Sequence, residues 1–86
     1  MFEWDEAKRQ ANLAKHGVDF ADVERFEWEL ATERMDDRRS YGEVRVESTS
    51  FIGHRLHVLV YTSRGAKFRI ISLRKANGRE VLKWNT

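Results

Sequence analysis

The chain has 86 residues and neither cysteine nor proline, which predicts one domain with no disulfides or thiolate metal ligands to staple it. Missing disulfides suit a reducing compartment, and no apolar run is long enough to span a membrane. No signal-peptide pattern opens the chain either, so a cytoplasmic protein without membrane association is expected. The net charge of +2 hides a division: residues 1–43 hold 7 Lys+Arg against 12 Asp+Glu, and residues 44–86 hold 9 against 2. That imbalance predicts either a basic surface for a polyanion or two halves that attract each other within the fold.

Phe2-Glu3-Trp4 alternates apolar and polar residues and reads as a short edge strand. Asp5 is a good N-cap for a helix over residues 6–16, with Glu6 in its first turn, Lys15 and His16 in its last, and Gly17 to end it. Ala7, Ala11 and Ala14, with Leu13 beside them, form the stripe expected to pack. A second helix is expected from Asp19, burying Phe20, Val23 and Phe26, so that the short turn Gly17-Val18-Asp19 closes a helix hairpin. Residues 27–34 fit either a strand or a fraying helix end, and residues 35–42 are charged and turn-rich, as in a loop.

From Val44 the pattern changes to period two. Val44 and Val46 alternate with Arg45 and Glu47, and Gly53 signals a turn. Residues 56–61 are rich in β-branched and aromatic side chains, and Ser63-Arg64-Gly65 closes a hairpin to a strand over residues 67–73. Residues 75–84 suit a last helix, interrupted by Gly78. The expected class is α+β: a short N-terminal strand and a helix hairpin packed on a curved antiparallel sheet, then a C-terminal helix.

The most informative residue is Arg69, flanked by Phe68, Ile70 and Ile71. A guanidinium among aliphatic neighbours needs an anionic partner. No carboxylate follows in sequence before Glu80, so an external anion such as a phosphate is expected. In a regular strand Arg69, Ile71 and Leu73 face one way, while Phe68, Ile70, Ser72 and Arg74 face the other. Arg69 and Arg74 can then meet only if the strand ends near Ser72 and the chain turns. Lys75 stands beside this pair, and Arg45, Arg64, Lys67 and Arg79 are the surrounding cations. Arginine's fork suits phosphate oxygens, whereas Lys67 and Arg79 read first as a solvated basic edge.

Glu43 and Arg45 read as an ordinary ion pair or as part of a catalytic set. His16 suits a helix end and His54 a solvated turn. His57, within a strand, is the one histidine placed for acid–base work, although a structural role is the leading reading for it. Three scattered histidines give no metal-ligand spacing, so neither metal nor cofactor is expected. Trp4, Phe20, Phe26, Trp28, Phe51, Phe68 and Trp84 could stack nucleic-acid bases, although a domain this small must spend most of them on its core.

Three ordered blocks carry a family resemblance. Phe2-Glu3-Trp4-Asp5, Ala7-Lys8, Asn12, Lys15-His16-Gly17-Val18 and Phe20 make the first. Gly42-Glu43, Arg45, Val60-Tyr61-Thr62 and Arg64-Gly65 make the second; Arg69-Ile70-Ile71-Ser72, Arg74-Lys75-Ala76 and Arg79-Glu80 make the third. Together they resemble the BrnT toxins over nearly the whole chain, with Leu73, Gly78 and the acidic segment 27–37 as departures.

The resemblance implies a toxin of a bacterial type II toxin–antitoxin pair, with a fold like the RelE ribonucleases. It further implies an RNA substrate and neutralisation by a BrnA-like ribbon-helix-helix antitoxin. The two proteins would form a heterotetramer that reaches operator DNA through the antitoxin. Metal-free cleavage by the 2′-hydroxyl would then rely on Arg69 and Arg74 to stabilise phosphate charge, assisted by Lys75, with Glu43 or His57 as general base. Arg45, Arg64, Lys67 and Arg79 would hold flanking RNA. The alternative is a non-catalytic nucleic-acid-binding module or interaction protein using the same basic face.

Overall fold

In the computed structural model, which describes residues 1–36 and 42–86, five strands form one mixed sheet. They are β1 (Phe2–Glu3), β2 (Thr32–Met35), β3 (Val46–Ile52), β4 (Arg55–Arg64) and β5 (Lys67–Lys75), in the spatial order β1-β5-β4-β3-β2. β2 through β5 pair antiparallel, whereas β1 runs parallel to β5, so the expected all-antiparallel sheet is corrected to a mixed one. Nearly the whole chain separates β1 from β5, which leaves that strand free to dock in either direction. The ambiguous segment 27–34 resolves into a 3-10 turn (Trp28–Leu30) and then β2, whose last residue, Met35, had been expected in the loop. The rest of that loop falls partly on residues 37–41, outside the described residues.

Helix α1 (Glu6–His16) keeps the expected caps: Asp5 Oδ1 accepts from Lys8 N at 3.1 Å, and Gly17 ends the helix at φ 70°. Its packed face is different. Ala7, Ala11 and Ala14 are exposed, while Asn12 is buried with Arg9 and His16 half-buried. The reason lies in what α1 covers. β1 is two residues long, so beyond Arg69 the backbone of β5 has no strand beside it, and α1 packs there. Asn12 Nδ2 donates to Leu73 O at 2.7 Å, and Asn12 Oδ1 accepts from Leu73 N at 3.3 Å. A polar backbone edge selects an amide rather than a methyl group.

The second expected α-helix is a 3-10 segment (Phe20–Arg25), opened by Asp19, which accepts from Ala21 N at 2.9 Å. Phe20, Val23 and Phe26 recur every third residue, which matches the three-residue turn of a 3-10 helix better than an α period. All three are buried beneath the sheet with Leu59, Ile70 and Leu73. The Arg9 guanidinium straddles Asp19 with two bonds of 2.8 Å and holds its carboxyl down at about 2, joining α1 to this segment.

Two hairpins organise the remaining strands. Ile52 pairs with Arg55 across Gly53-His54, where Gly53 supplies φ 62°. The β4–β5 turn falls on Gly65-Ala66, one residue later than Ser63-Arg64-Gly65 suggested. β5 extends to Lys75, so α2 (Gly78–Trp84) starts after it with Gly78 in the first turn rather than mid-helix. Asn77 and Glu80 close a reciprocal capping box, with bonds of 2.8 and 2.9 Å. Val81 and Trp84 of α2 lie on Leu56, Val58 and Phe51, a second small core on the sheet face opposite the first.

Candidate functional site

The β4–β5 register decides which cations share a face. Val60 pairs with Ser72 and Tyr61 with Ile70, so Ile71 is an extra residue, a β-bulge. The bulge reverses the side-chain phase, which is why Ile70 and Leu73 are both fully buried in the same core. It also brings Arg69, Ser72 and Arg74 onto the opposite face. The expectation that the two arginines meet only where the strand ends is corrected: β5 continues, and an inserted residue does what a turn was expected to do.

Cross-strand pairs lay this second face out in rows. Glu3, Arg69 and Thr62 form one; Ser72, Val60, Glu47 and Arg34 the next; Arg74, Val58, Thr49 and Thr32 the third. α2 covers the third row and beyond, over Val58, Leu56 and Phe51, whereas in the first two rows Thr62, Val60 and Glu47 are buried and Arg69 and Arg34 keep contact with solvent. Arg45 precedes β3 by one residue, which puts it next to Thr62 in register. Thr62 Oγ1 donates to Val44 O at 2.6 Å and fixes that approach.

The expected anionic partners of these arginines are carboxylates of the chain itself. Arg69 Nη1 meets Glu3 Oε2 at 3.3 Å, and Arg45 Nε meets Glu43 Oε2 at 3.1 Å. Arg34 Nε donates to Glu47 Oε1 at 2.9 Å. Arg74 grips Glu80 with two bonds of 2.8 Å, and this grip holds the Glu80 carboxyl down at about 2. Glu3 lies 66 residues from Arg69 in sequence, so no local reading of the strand could find it. Among the described residues only Nη1 of Arg69 has a hydrogen-bonding partner, and the side chain is half-buried.

The other sequence candidates are distributed less favourably. His57 pairs in register with Ser50 and Lys75 and shares the phase of Leu59 and Tyr61. It is therefore buried on the helix-covered face, across the sheet from Arg69 and Arg74. Its Nδ1 lies 2.8 Å from Arg55 O, and burial pushes its pKa down. That geometry fits the structural role and separates it from the arginines. Lys75 has the phase of His57 rather than of Arg74 and is exposed at the strand end. Arg64 and Lys67 face each other at the exposed hairpin tip, on the arginine side, and Arg79 is exposed on the first turn of α2. Glu43 is half-buried beside Arg45.

Sequence reasoning passed over Arg34 and Glu47. Glu47 looked like the solvent side of an alternating strand, yet it is 8% exposed, beneath the lip formed by α2 and β2. Most of the aromatic candidates belong to packing: Phe20 and Phe26 are core, while Phe2, Trp28 and Phe68 stack on one another. Trp84 lines a cleft beside the arginine face.

Comparison with known proteins adds one match. Residues 4–80 fit the sequence model of a family described as "Ribonuclease toxin, BrnT, of type II toxin-antitoxin system". No curated protein matches the chain.

Proposed function

The chain belongs to the BrnT family of ribonuclease toxins of type II toxin–antitoxin systems, and from that premise we propose that it cleaves RNA, without a metal ion, on the arginine-bearing face of its sheet. The observation that carries the reading is the bulge at Ile71, which turns Arg69 and Arg74 to that face with Ser72 between them. The 2′-hydroxyl attacks the adjacent phosphorus, the bond to the 5′-oxygen breaks, the departing 5′-oxygen takes a proton from water, and a 2′,3′-cyclic phosphate forms. Negative charge grows on the phosphate oxygens, and arginines already held in place stabilise it without reorganising.

Arg69 is the principal phosphate ligand, because its single long bond to Glu3 leaves the other donors of its fork for a phosphate. Glu3 and Glu80 orient the two guanidiniums and are rivals that the phosphate must displace or share. Glu43 takes the 2′-hydroxyl proton: of the two bases considered, it stands on the arginine side of the sheet next to Arg45. Arg45 holds the flanking strand, with Arg64 and Lys67 further along at the hairpin tip. The five-stranded α+β layout supports a RelE-like fold. A BrnA-like ribbon-helix-helix antitoxin would neutralise the protein in a cytoplasmic heterotetramer and carry it to operator DNA.

Purified protein incubated with RNA in EDTA should cut it, leaving cyclic phosphate ends. Arg69→Ala should slow cleavage about a hundredfold, the effect of losing one donor aimed at developing charge. Cleavage that appears only on adding Mg²⁺ would overturn the metal-free mechanism. RNA retained by the protein but never cut would favour a binding module instead.

A further inference from the structure

We propose that the cleft between α2 and the β2–β3 edge is a nucleobase subsite selective for guanine, a reading that rests on RNA being the substrate. The cleft holds about 380 Å³, at the small end of ligand sites and suited to one base rather than a larger ligand. One wall is Trp84, half-buried and held edge-on against Phe51 at a centroid distance of 5.6 Å and an interplanar angle of 89°. A tryptophan whose orientation is fixed by a neighbour offers a base a stacking surface at little entropic cost.

The polar groups choose the base. Glu47, Thr49 and Thr32 come from the sheet, and Glu80 and Lys83 from α2. Glu47 is the buried acceptor at the floor: Arg34 takes its Oε1, and Oε2 has no hydrogen-bond donor among the described residues. An ionised carboxylate accepts and never donates. Guanine presents two adjacent donors, N1–H and the exocyclic amine, which together match one carboxylate. Adenine and cytosine offer a single donor group beside an acceptor that would face the carboxylate's lone pairs, and uracil offers one N–H between two carbonyls. Arg34 completes the selection by fixing the plane of the Glu47 carboxylate.

The position also fits a chain crossing the proposed cleavage face. Thr49 lies in the same row as Arg74, two strands away, or about 10 Å at the usual strand spacing. A base on Trp84 can therefore place its own phosphate toward Arg74, with Lys83 at the rim for the next.

Nuclear magnetic resonance titration of the wild-type protein with the four nucleoside 5′-monophosphates tests this apart from cleavage. Guanosine monophosphate should shift the Trp84 indole and the Thr49 and Lys83 amides, binding about tenfold tighter than the other three, as one bidentate base contact allows. Glu47→Gln, which replaces one acceptor oxygen by a donor, should reduce that preference below about threefold. On RNA, wild-type cuts should cluster at a fixed offset from G. Equal response to all four nucleotides, shifts confined to other residues, or selectivity unchanged in Glu47→Gln would overturn the subsite even if RNA is cleaved. Guanosine selectivity in a protein that never cuts RNA would instead leave the subsite standing and sink the ribonuclease reading.

Discussion

Asn12 carries more of the fold than its side chain suggests. Its amide stands in for one residue of a strand that is not there, donating to Leu73 O and accepting from Leu73 N, and the same Nδ2 also donates to Val18 O at 3.0 Å. Three backbone groups therefore depend on one buried side chain. Asn12→Ala would leave a buried N–H and two carbonyls unpaired, and an unmet buried polar group costs about 1–3 kcal/mol. Urea denaturation should register a loss at the upper end of that range, with the slope against denaturant unchanged. Asn12→Asp should be no better, since it removes both donated bonds and buries a charge beside Leu73 O. A loss below about 0.5 kcal/mol for the alanine variant would mean that the edge of β5 finds water or another partner.

At the scale of elements, the bulge in β5 links packing to chemistry. Leu73 and Ile70 must both reach the core, and a regular strand would send them the same way only if one residue lay between them rather than two. The extra residue, Ile71, satisfies the core, and Arg74 is carried to Arg69's face as a result. Deleting Ile71 would leave only Ser72 between Ile70 and Leu73, so a regular strand would still send both to the core and would keep Arg69 and Arg74 on one face. That deletion should therefore fold, and it should retain RNA cleavage well above that of Arg69→Ala. Cleavage that falls as far as in Arg69→Ala would show that the bulge itself sets the spacing of the two arginines, and that a shared face is not enough. This is also where legibility in the sequence ended. Caps and turns were readable at Asp5, Gly17 and Gly53 because they are local chemistry with few alternatives. The phase of β5 was not, because apolar residues at 68, 70, 71 and 73 fit two phases, and only the partner strand chooses between them. The alanines of α1 misled for a related reason: periodicity reports an apolar stripe without reporting that α1 covers a polar backbone edge. The candidate site was half legible. Its arginines could be named from their aliphatic neighbours, while Glu3, Glu47 and the exclusion of His57 required the register.

The charge division of the whole molecule resolves into pairing rather than bare excess. Glu3 and Glu43 of the acidic half lie against Arg69 and Arg45 of the basic half, while Glu80 within the basic half takes Arg74. RNA bound on this face exchanges carboxylate partners for phosphates, so its affinity should be modest and its dependence on salt should count the few arginines engaged rather than the full excess of cations. With three phosphates held by Arg45, Arg69 and Arg74, log K should fall with log salt at a slope of about −2, given roughly 0.7 per phosphate on a single strand. A 2′-O-methyl oligonucleotide lacks the attacking hydroxyl and remains intact during such a titration. Arg69→Ala should reduce the slope by about 0.7, whereas Lys15→Ala, an exposed change on α1, should leave it as it was. A slope of about −3.5 would show that the hairpin-tip cations Arg64 and Lys67 hold phosphates as well, and that the footprint runs along the sheet toward that end. A slope near zero would mean that the carboxylates keep their arginines and that RNA is held by base contacts alone.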